Sequence, residues 1–288
     1  MSILRTLTLS SRPLSWVNTA YPFAAAYLLT AREIDAAWII GTLYFLVPYN
    51  LAMYGINDVF DYESDLRNPR KGGVEGAVLD RGMHRITLWA VLITNIPFLV
   101  ALILLGSPLS WLILAISVAA VLAYSAPGLR FKERPFVDSL TSSTHFVSPA
   151  VYGIVLAGGS LAEPGLLCLL AAFFLWGMAS HAFGAVQDVL ADRAGGLASV
   201  ATVIGARATV RLAAACYLLA GALMLFTAWP GPLAALLAVP YLLNVAPFWR
   251  ISDAGAEAAN AGWRRFLWLN FLAGAAITLL LIWYVRIG

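Results

Sequence analysis

The sequence predicts an all-α integral membrane protein. Hydrophobic residues make up 61% of the 288 residues and charged residues only 11%, and the mean hydropathy is +0.82. A soluble domain carries about 25% charged residues. The apolar residues also occur in runs of the roughly 17–25 residues that a helix needs to cross a bilayer. This composition excludes a soluble enzyme, and with a formal net charge of only +3 we expect no nucleic-acid partner.

Nine apolar runs can be placed along the chain, and each predicts one membrane-spanning helix. The turns Gly106-Ser107-Pro108 and Pro230-Gly231-Pro232 divide the two pairs of runs that are hardest to separate. The nine predicted helices occupy residues 14–30, 36–56, 86–105, 108–125, 137–157, 163–186, 209–228, 231–249 and 265–285. Cys168 and Cys216 lie inside these runs and have no metal-binding or disulfide spacing. We therefore expect a single transmembrane domain over residues 1–288.

The positions of the basic residues predict the orientation of these helices. If the N-terminus lies in the cytoplasm, sixteen of the eighteen Lys and Arg residues fall on the cytoplasmic side, and only Arg32 and Arg286 fall outside. An excess of Lys and Arg in cytoplasmic loops is the usual topology signal of membrane proteins. The sequence therefore predicts a multi-pass protein of the cytoplasmic membrane, with the N-terminus and the long charged loops, at about 57–85 and 187–208, in the cytoplasm.

Each long loop begins with a cluster of acidic residues at the end of an apolar helix. The residues are Asn57, Asp58, Asp61 and Asp65 in the first loop and Asp188 and Asp192 in the second. Aspartates three and four residues apart lie on the same face of a helix. Mg²⁺ accepts one or two carboxylates and shares its other positions with water and phosphate. The clusters therefore predict a Mg²⁺ site for a diphosphate.

A simpler interpretation is that these acids are solvated residues at the membrane interface. Acids beside a bilayer are costly and usually functional, and two clusters on the same side, four helices apart, favour the functional interpretation. The spacing indicates a weak internal repeat of two four-helix halves followed by a ninth helix. Because repeat-built membrane proteins often place their sites between the repeats, we expect one site formed by both clusters.

Basic residues near the clusters are candidates for binding the diphosphate. Arg70 and Lys71 follow the first cluster, and Arg130 and Lys132 follow Tyr124 at the end of the fourth predicted helix. We assign all five to the same site. Positive-inside topology alone would also place basic residues in these loops, so the phosphate-binding role is a hypothesis.

Two histidines are candidates for a base or a group that lines the cavity. His181 lies seven residues before Asp188 on the same predicted helix face, and His145 lies in the polar run Thr141-Ser142-Ser143-Thr144-His145. For both, the alternative is a buried histidine that forms a hydrogen bond to a neighbouring helix.

Three motifs stand together in this chain: Asn57-Asp58-x-x-Asp61-x-x-x-Asp65, the Tyr124-Ser125 loop with its following basic residues, and Asp188-x-x-x-Asp192. They resemble the motifs of the UbiA superfamily of intramembrane prenyltransferases. The resemblance covers essentially the whole chain, including the Arg12-Pro13 opening. It implies a UbiA-type bundle of nine helices, with a central cavity capped by cytoplasmic loops.

Within the superfamily, the sequence is most similar to the lycopene elongases of bacterial fifty-carbon carotenoid synthesis. The similar stretches are residues 11–22, 53–65, 67–76 and 131–136. Aromatic prenyltransferases of the superfamily usually carry an Arg-Pro pair after the first motif, where this chain has Gly72-Gly73-Val74-Glu75-Gly76. This difference argues against a quinone-type or haem-type acceptor.

The resemblance implies an enzyme that adds five-carbon units from dimethylallyl diphosphate to both ends of lycopene, giving an acyclic hydroxylated product. Mg²⁺ would be held by the five aspartates of the two clusters, and Arg70 and Lys132 would stabilise the departing diphosphate. A carotenoid cyclase is a further expected partner. One alternative is a UbiA-type enzyme with a quinone precursor, a chlorin or a lipid as acceptor. The other is a transporter or lipid-binding protein, although a transporter would place charge near the middle of the bilayer.

Overall fold

The structure, a computed structural model, describes residues 2–66 and 79–287, without the side chains of Ser64 and Asp65. The described residues form α-helices and short 3-10 helices, and no β-strand occurs among them. The first seven α-helices are α1 (Ile3–Ser10), α2 (Val17–Ala31), α3 (Ala36–Leu46), α4 (Pro48–Phe60), α5 (Tyr62–Asp65), α6 (Arg81–Leu105) and α7 (Pro108–Ser125). The other seven are α8 (Val137–Leu156), α9 (Pro164–Val186), α10 (Val189–Ala194), α11 (Val200–Ile204), α12 (Ala206–Met224), α13 (Ala238–Val245) and α14 (Asn260–Ile287).

Seven helical segments in the described part of the chain are long and apolar enough to cross a membrane. They are Ala36–Phe60, Arg81–Leu105, Pro108–Ser125, Pro164–Val186, Ala206–Met224, Gly231–Phe248 and Asp253–Ile287. The predicted count of nine is therefore not confirmed. Of the two other predicted helices, α2 has only 15 residues, and α8 carries Asp138 and the polar run at 141–145 in its first half.

The chain divides into two compact units. The first contains the described residues of Met1–Phe131 and Thr144–Ser160, and the second contains those of Lys132–Ser143 and Leu161–Gly288. α8 therefore contributes its first residues to the second unit and its remaining residues to the first. The first acidic cluster belongs to the first unit and the second cluster to the second unit.

Aromatic residues form the core of the first unit. Phe23, Tyr44, Phe45, Tyr49 and Tyr152 are all essentially inaccessible to solvent. The ring centre of Phe45 lies 5.2 Å from that of Phe23 and 5.0 Å from that of Tyr49. Aromatic pairs in this arrangement add about 0.5–1.5 kcal/mol to the gain from burial. Because Tyr49 belongs to α4, this core fixes the helix that carries the first acidic cluster.

In the second unit, α9 and α12 pack closely through small side chains. Ala179 of α9 and Ala206 and Ala213 of α12 are completely buried. Small residues allow helices in membranes to approach each other closely. Beside them, the rings of Tyr217 and Tyr241 stack with their centres 5.0 Å apart. This packing fixes α9, which leads into the second acidic cluster.

Candidate active site

The first acidic cluster lies where α4 ends. Asn57 and Asp58 occupy its last turn, and Asp61 follows as the C-cap, with its backbone N–H donating to the Asn57 carbonyl over 2.9 Å. One continuous helix does not carry all four residues of the cluster, because Asp61 (φ −98°, ψ 1°) leaves the helical conformation and α5 begins at Tyr62. Asp65 is the last residue of α5, and its side chain lies outside the described part of the structure.

Asp58 is buried and accepts hydrogen bonds from two residues near the N-terminus. The Ser10 hydroxyl donates to Oδ2 over 2.9 Å, and Nη2 of Arg12 donates to Oδ1 over 3.0 Å. The Arg12 guanidinium also lies 4.3 Å from the centre of the Tyr54 ring. A buried carboxylate without such partners would be strongly disfavoured. Sequence reasoning did not find these two partners, because they lie 48 and 46 residues away from Asp58.

Arg130 lies beside the same cluster, where the sequence placed a diphosphate-binding residue. Its Nη2 is 3.5 Å from the Asp61 carboxylate, and its Nη1 is 3.4 Å from the Phe60 carbonyl oxygen. The Ser125 hydroxyl donates to the side-chain oxygen of Asn57 over 3.0 Å. The end of α7 and the segment that follows it therefore lie against the end of α4.

Tyr124 and His145 pack against each other in the first unit. Their ring centres are 5.2 Å apart in an edge-to-face arrangement. His145 is buried, and its backbone carbonyl accepts a hydrogen bond from the Tyr49 hydroxyl over 3.4 Å. His145 is therefore buried, as its alternative interpretation expects, and its role as a base stays a prediction.

The second acidic cluster forms one helical turn in the second unit. Asp188 and Asp192 are both partly exposed, and the Asp192 N–H donates to the Asp188 carbonyl over 2.8 Å. The predicted spacing of four residues along a helix is present. Asp192 lies inside α10, next to Arg193.

Arg193 connects α10 to two other segments through hydrogen bonds. Its guanidinium donates to the Asp253 carboxylate and to the Thr202 carbonyl, each over 2.6 Å. The same Asp253 carboxylate accepts the backbone N–H of Ala206, the first residue of α12, over 2.7 Å. Asp253 therefore accepts hydrogen bonds from both α10 and α12. We define Arg193, Asp253, Thr202 and Ala206 as the α10 clamp.

His181 forms a polar contact at the start of α8. The Ser139 hydroxyl lies 3.1 Å from His181 Nδ1. The neighbouring Asp138 is completely buried and accepts the backbone N–H groups of Ser139 and Val200, both over 2.7 Å. The alternative of a hydrogen-bonded histidine is therefore present in the structure, and the role of His181 as a base stays a prediction.

The donor atoms of the two clusters suit a hard cation. Among the described residues, no group of three or more His, Cys, Asp and Glu side chains lies close enough to hold a metal alone. Mg²⁺ needs only one or two carboxylates when phosphate and water supply the rest. The two hydrogen bonds of Asp58 use about half of the acceptor positions of a carboxylate. The acidic residues therefore fit Mg²⁺ that arrives together with a diphosphate.

Three further predicted basic residues have different outcomes. Arg70 and Lys71 lie outside the described residues. Lys132 lies in the 3-10 helix Phe131–Glu133 and belongs to the second unit. A role for these residues in binding diphosphate stays a prediction.

The chain is similar to known proteins over nearly its whole length. The model of the UbiA prenyltransferase family matches residues 19–272. The chain is 57% identical over 282 residues to a lycopene elongase/hydratase of Corynebacterium glutamicum, with 98% of both chains covered. It is 59% identical over 286 residues to the C(50) beta-cyclic carotenoids biosynthesis protein LbtBC of a Dietzia species, with 99% of this chain and 66% of that protein covered.

The fold is also similar to that of solved structures. A UbiA homologue from Archaeoglobus fulgidus, solved bound to DMAPP and Mg²⁺, matches with a TM-score of 0.67 and 16% sequence identity. The match covers 93% of this chain and 98% of that one. At this identity the likeness concerns the fold.

Proposed function

The chain belongs to the UbiA prenyltransferase family, and we propose that it transfers five-carbon units from dimethylallyl diphosphate to the two ends of lycopene. The observation that carries this proposal is the 57% identity, over nearly the whole of both chains, to the lycopene elongase/hydratase of C. glutamicum. The product would be an acyclic hydroxylated fifty-carbon carotenoid.

Mg²⁺ is the proposed cofactor. Asp58, Asp61 and Asp65 in the first unit, with Asp188 and Asp192 in the second, would hold the ion together with the diphosphate. When bound, Mg²⁺ would act as a Lewis acid that stabilises the negative charge of the leaving group. The A. fulgidus homologue bound to DMAPP and Mg²⁺ supports this combination of ligands.

Arg12 joins the predicted diphosphate-binding residues. Its Nε is buried and has no hydrogen-bond partner among the described residues. A buried donor without a partner costs about 1–3 kcal/mol, and a phosphate oxygen beside Asp58 would satisfy it. Because a guanidinium has five donors in a planar fork, Arg12 would bond to the phosphate while it keeps its contact with Asp58. Arg130 would act in the same way beside Asp61.

The proposed reaction begins when the bond between C1 of the prenyl group and the diphosphate oxygen breaks. Both electrons leave with the diphosphate, and an allylic cation remains. The terminal double bond of lycopene attacks this cation, a carbon–carbon bond forms, and the positive charge moves to a tertiary carbon of the acceptor. Loss of a proton, or addition of water followed by loss of a proton, ends the step. His181 and His145 are the candidate proton acceptors.

The site would need to exclude water until the carbon–carbon bond has formed, because water would capture the allylic cation. The buried surroundings of Asp58 support such an environment. Lycopene is apolar and very long, so we propose that it enters from the bilayer through a lateral opening and leaves its unreacted part there. Two similar ends imply two successive additions.

We also propose the topology of nine membrane-spanning helices that the sequence predicts. α2 and α8 would add two membrane-spanning helices to the seven long apolar segments, giving nine in a single domain. The N-terminus and both acidic loops would face the cytoplasm, which the distribution of the basic residues supports. A carotenoid cyclase partner is not supported by the comparisons and is not part of the proposal.

Expression in a lycopene-accumulating bacterium, followed by mass analysis of the pigments, tests the proposal. We expect masses increased by one and two prenyl units, with and without added water, and their loss in Asp61→Asn. Glu63→Gln is the matched control, because Glu63 lies two residues further on and its side chain is 68% exposed. Unchanged lycopene with folded wild-type protein in the membrane would overturn the choice of acceptor. Quinone precursors, chlorins and lipids would then be tested as acceptors.

A further inference from the structure

In the second unit, a groove between α13 and α14 is lined in part by the positively charged side chain of an arginine. Its volume is about 350 Å³, and it is lined by Pro240, Asn244, Arg265, Trp268 and Leu269. Pro240 and Asn244 lie one turn apart on α13, and Arg265 and Leu269 lie one turn apart on α14. Residues four apart share a helix face, so each wall of the groove is one row of side chains from one helix.

The groove is polar at one end and apolar at the other. Asn244 and Arg265 lie at the same end, because the Asn244 side-chain amide donates to the carbonyl of Gly262, three residues before Arg265, over 3.0 Å. Pro240 lies four residues before Asn244 on α13, and Leu269 lies four residues after Arg265 on α14, so each is about 6 Å from the polar end of the groove. A phospholipid has the same arrangement, with a charged headgroup at one end and apolar acyl chains at the other.

Arg265 is available to an anion. Its guanidinium lies 5.9 Å from the centre of the Phe248 ring, and no carboxylate of the described residues forms an ion pair with it. Further arginines lie at the starts of α12 and α14 and just after α13. They are Arg207, Arg211, Arg250 and Arg264. A basic surface of this kind attracts anionic headgroups.

Aromatic residues mark this end of the unit as a membrane interface. Trp268 is 74% exposed and Trp249 is 46% exposed, and the Arg211 guanidinium lies 5.3 Å from the Trp249 ring. Exposed tryptophans beside arginines are typical of the level of the lipid headgroups. In addition, the buried Asn244 Oδ1 has no hydrogen-bond partner among the described residues, so a headgroup hydroxyl would find an acceptor in this wall of the groove.

We propose that the groove binds an anionic phospholipid, with the phosphate on Arg265 and an acyl chain along Pro240, Trp268 and Leu269. Basic pockets between membrane helices are known to favour anionic headgroups. The lipid would contact both α13 and α14, so its binding stabilises the packing of these helices by mass action. This site is separate from the two acidic clusters, and it does not depend on the proposed reaction.

The test is native mass spectrometry of the purified protein in detergent, titrated with phosphatidylglycerol or phosphatidylcholine. We expect phosphatidylglycerol to bind at lower concentration than phosphatidylcholine, and Arg265→Gln to weaken its binding about fivefold. Arg264→Gln is the matched control, because Arg264 is the adjacent exposed arginine and does not line the groove. We expect that variant to bind phosphatidylglycerol like the wild type. The unfolding temperature in lipid-free detergent shows whether each variant is folded.

Three results would overturn the proposal. The first is equal binding of the two lipids, and the second is an equal loss of binding in both arginine variants, which would indicate attraction to the basic surface as a whole. The third is a dimer that Arg265→Gln abolishes, since this would assign the groove to a second copy of the chain. If Arg265→Gln is unfolded, Trp268→Ala replaces it, and an unchanged affinity for phosphatidylglycerol in that variant also counts against the proposal.

Discussion

The guanidinium of Arg12 lies 3.0 Å from the carboxylate of Asp58. The Asp58 side chain is completely buried and that of Arg12 is 21% exposed. The negative charge of Asp58 is therefore balanced by the N-terminal segment of the chain. Removing one member of a buried ion pair leaves the other charge uncompensated, at a cost of about 3–5 kcal/mol. The end of α4 and the segment around Arg12 consequently stabilise each other within the first unit.

The first prediction concerns the stability that this pair provides. Arg12→Gln and Asp58→Asn should each lower the unfolding temperature in detergent, because each leaves one charge without its partner. The double variant should be less destabilised than the sum of the two, with a coupling energy of about 1–3 kcal/mol. Thermal unfolding of the four proteins measures this energy. Additive losses would show that the contact between the two side chains contributes no stability.

The second prediction concerns the buried Nε of Arg12 and rests on the proposed reaction. Arg12→Lys keeps the positive charge but removes the planar fork that would bond to both Asp58 and a phosphate oxygen. We expect KM for dimethylallyl diphosphate to rise about tenfold, the effect of one lost charge-assisted hydrogen bond, while kcat changes less. Steady-state kinetics in membranes that contain lycopene measure both constants.

Arg5→Lys provides the control for this measurement, because Arg5 is an exposed arginine of α1. It should leave KM unchanged. A fall in kcat without a change in KM for Arg12→Lys would contradict the assignment of Arg12 to the diphosphate.

The comparison of Asp58 with Asp61 shows how much of the site a single sequence reveals. Local spacing predicted an acidic cluster at the end of a helix, and the helix α4 does end there. The spacing did not reveal that Asp61 would act as a cap, because the break depends on one backbone conformation. Ser10 and Arg12 were missed because their contacts with Asp58 join distant parts of the chain. Such contacts cannot be inferred from a single sequence.

The second unit shows the same limit. The predicted range 163–186 closely matches α9, since an apolar run bounded by Pro164 and polar residues defines a helix almost alone. The buried Asp138, by contrast, accepts a hydrogen bond from the backbone N–H of Val200, 62 residues away. Hydropathy and spacing thus predict the helices, while tertiary hydrogen bonds that position the ends of these helices require the structure.

The third prediction concerns the α10 clamp. Asp253→Ala removes the acceptor of both Arg193 and the Ala206 N–H. The ion pair is substantially exposed and contributes at most about 1 kcal/mol, but the buried Ala206 N–H loses its acceptor, at a cost of about 1–3 kcal/mol, so the unfolding temperature should fall. The displacement of α10 should also lower the rate of prenyl transfer about tenfold in protein that is still folded, because small errors in the position of reacting groups are costly.

Glu257→Gln is the matched control for the clamp, since Glu257 is an exposed acid of the same 3-10 helix, Asp253–Ala259. Rates for wild type, Asp253→Ala and Glu257→Gln are compared at saturating lycopene. A normal rate in Asp253→Ala would show that α10 keeps its position without the clamp.

The fourth prediction concerns pH and the cap of α3. Asp35 accepts the backbone N–H of Trp38 over 2.8 Å and the Tyr27 hydroxyl over 2.7 Å. The hydrogen bond from Trp38 is the main reason that the pKa of Asp35 lies below its ordinary value, and that from Tyr27 lowers it further. Burial acts in the opposite direction but has a smaller effect than the Trp38 hydrogen bond. A carboxyl group with a lowered pKa stabilises the folded state above its unfolded pKa. This contribution is lost as the pH falls below about 4 and through the pKa of the folded state.

Asp35→Ala should therefore cost about 1 kcal/mol at pH 7, the usual effect of losing an N-cap, and the difference from wild type should shrink as the pH approaches 3. Asp35→Asn separates the two contributions, because asparagine is a good N-cap that does not titrate. Its stability relative to Asp35→Ala should be independent of pH. Unfolding temperatures of the three proteins between pH 3 and pH 7 measure these differences. A gap between wild type and Asp35→Ala that stays constant over this range would show that the Asp35 carboxylate does not contribute through its charge.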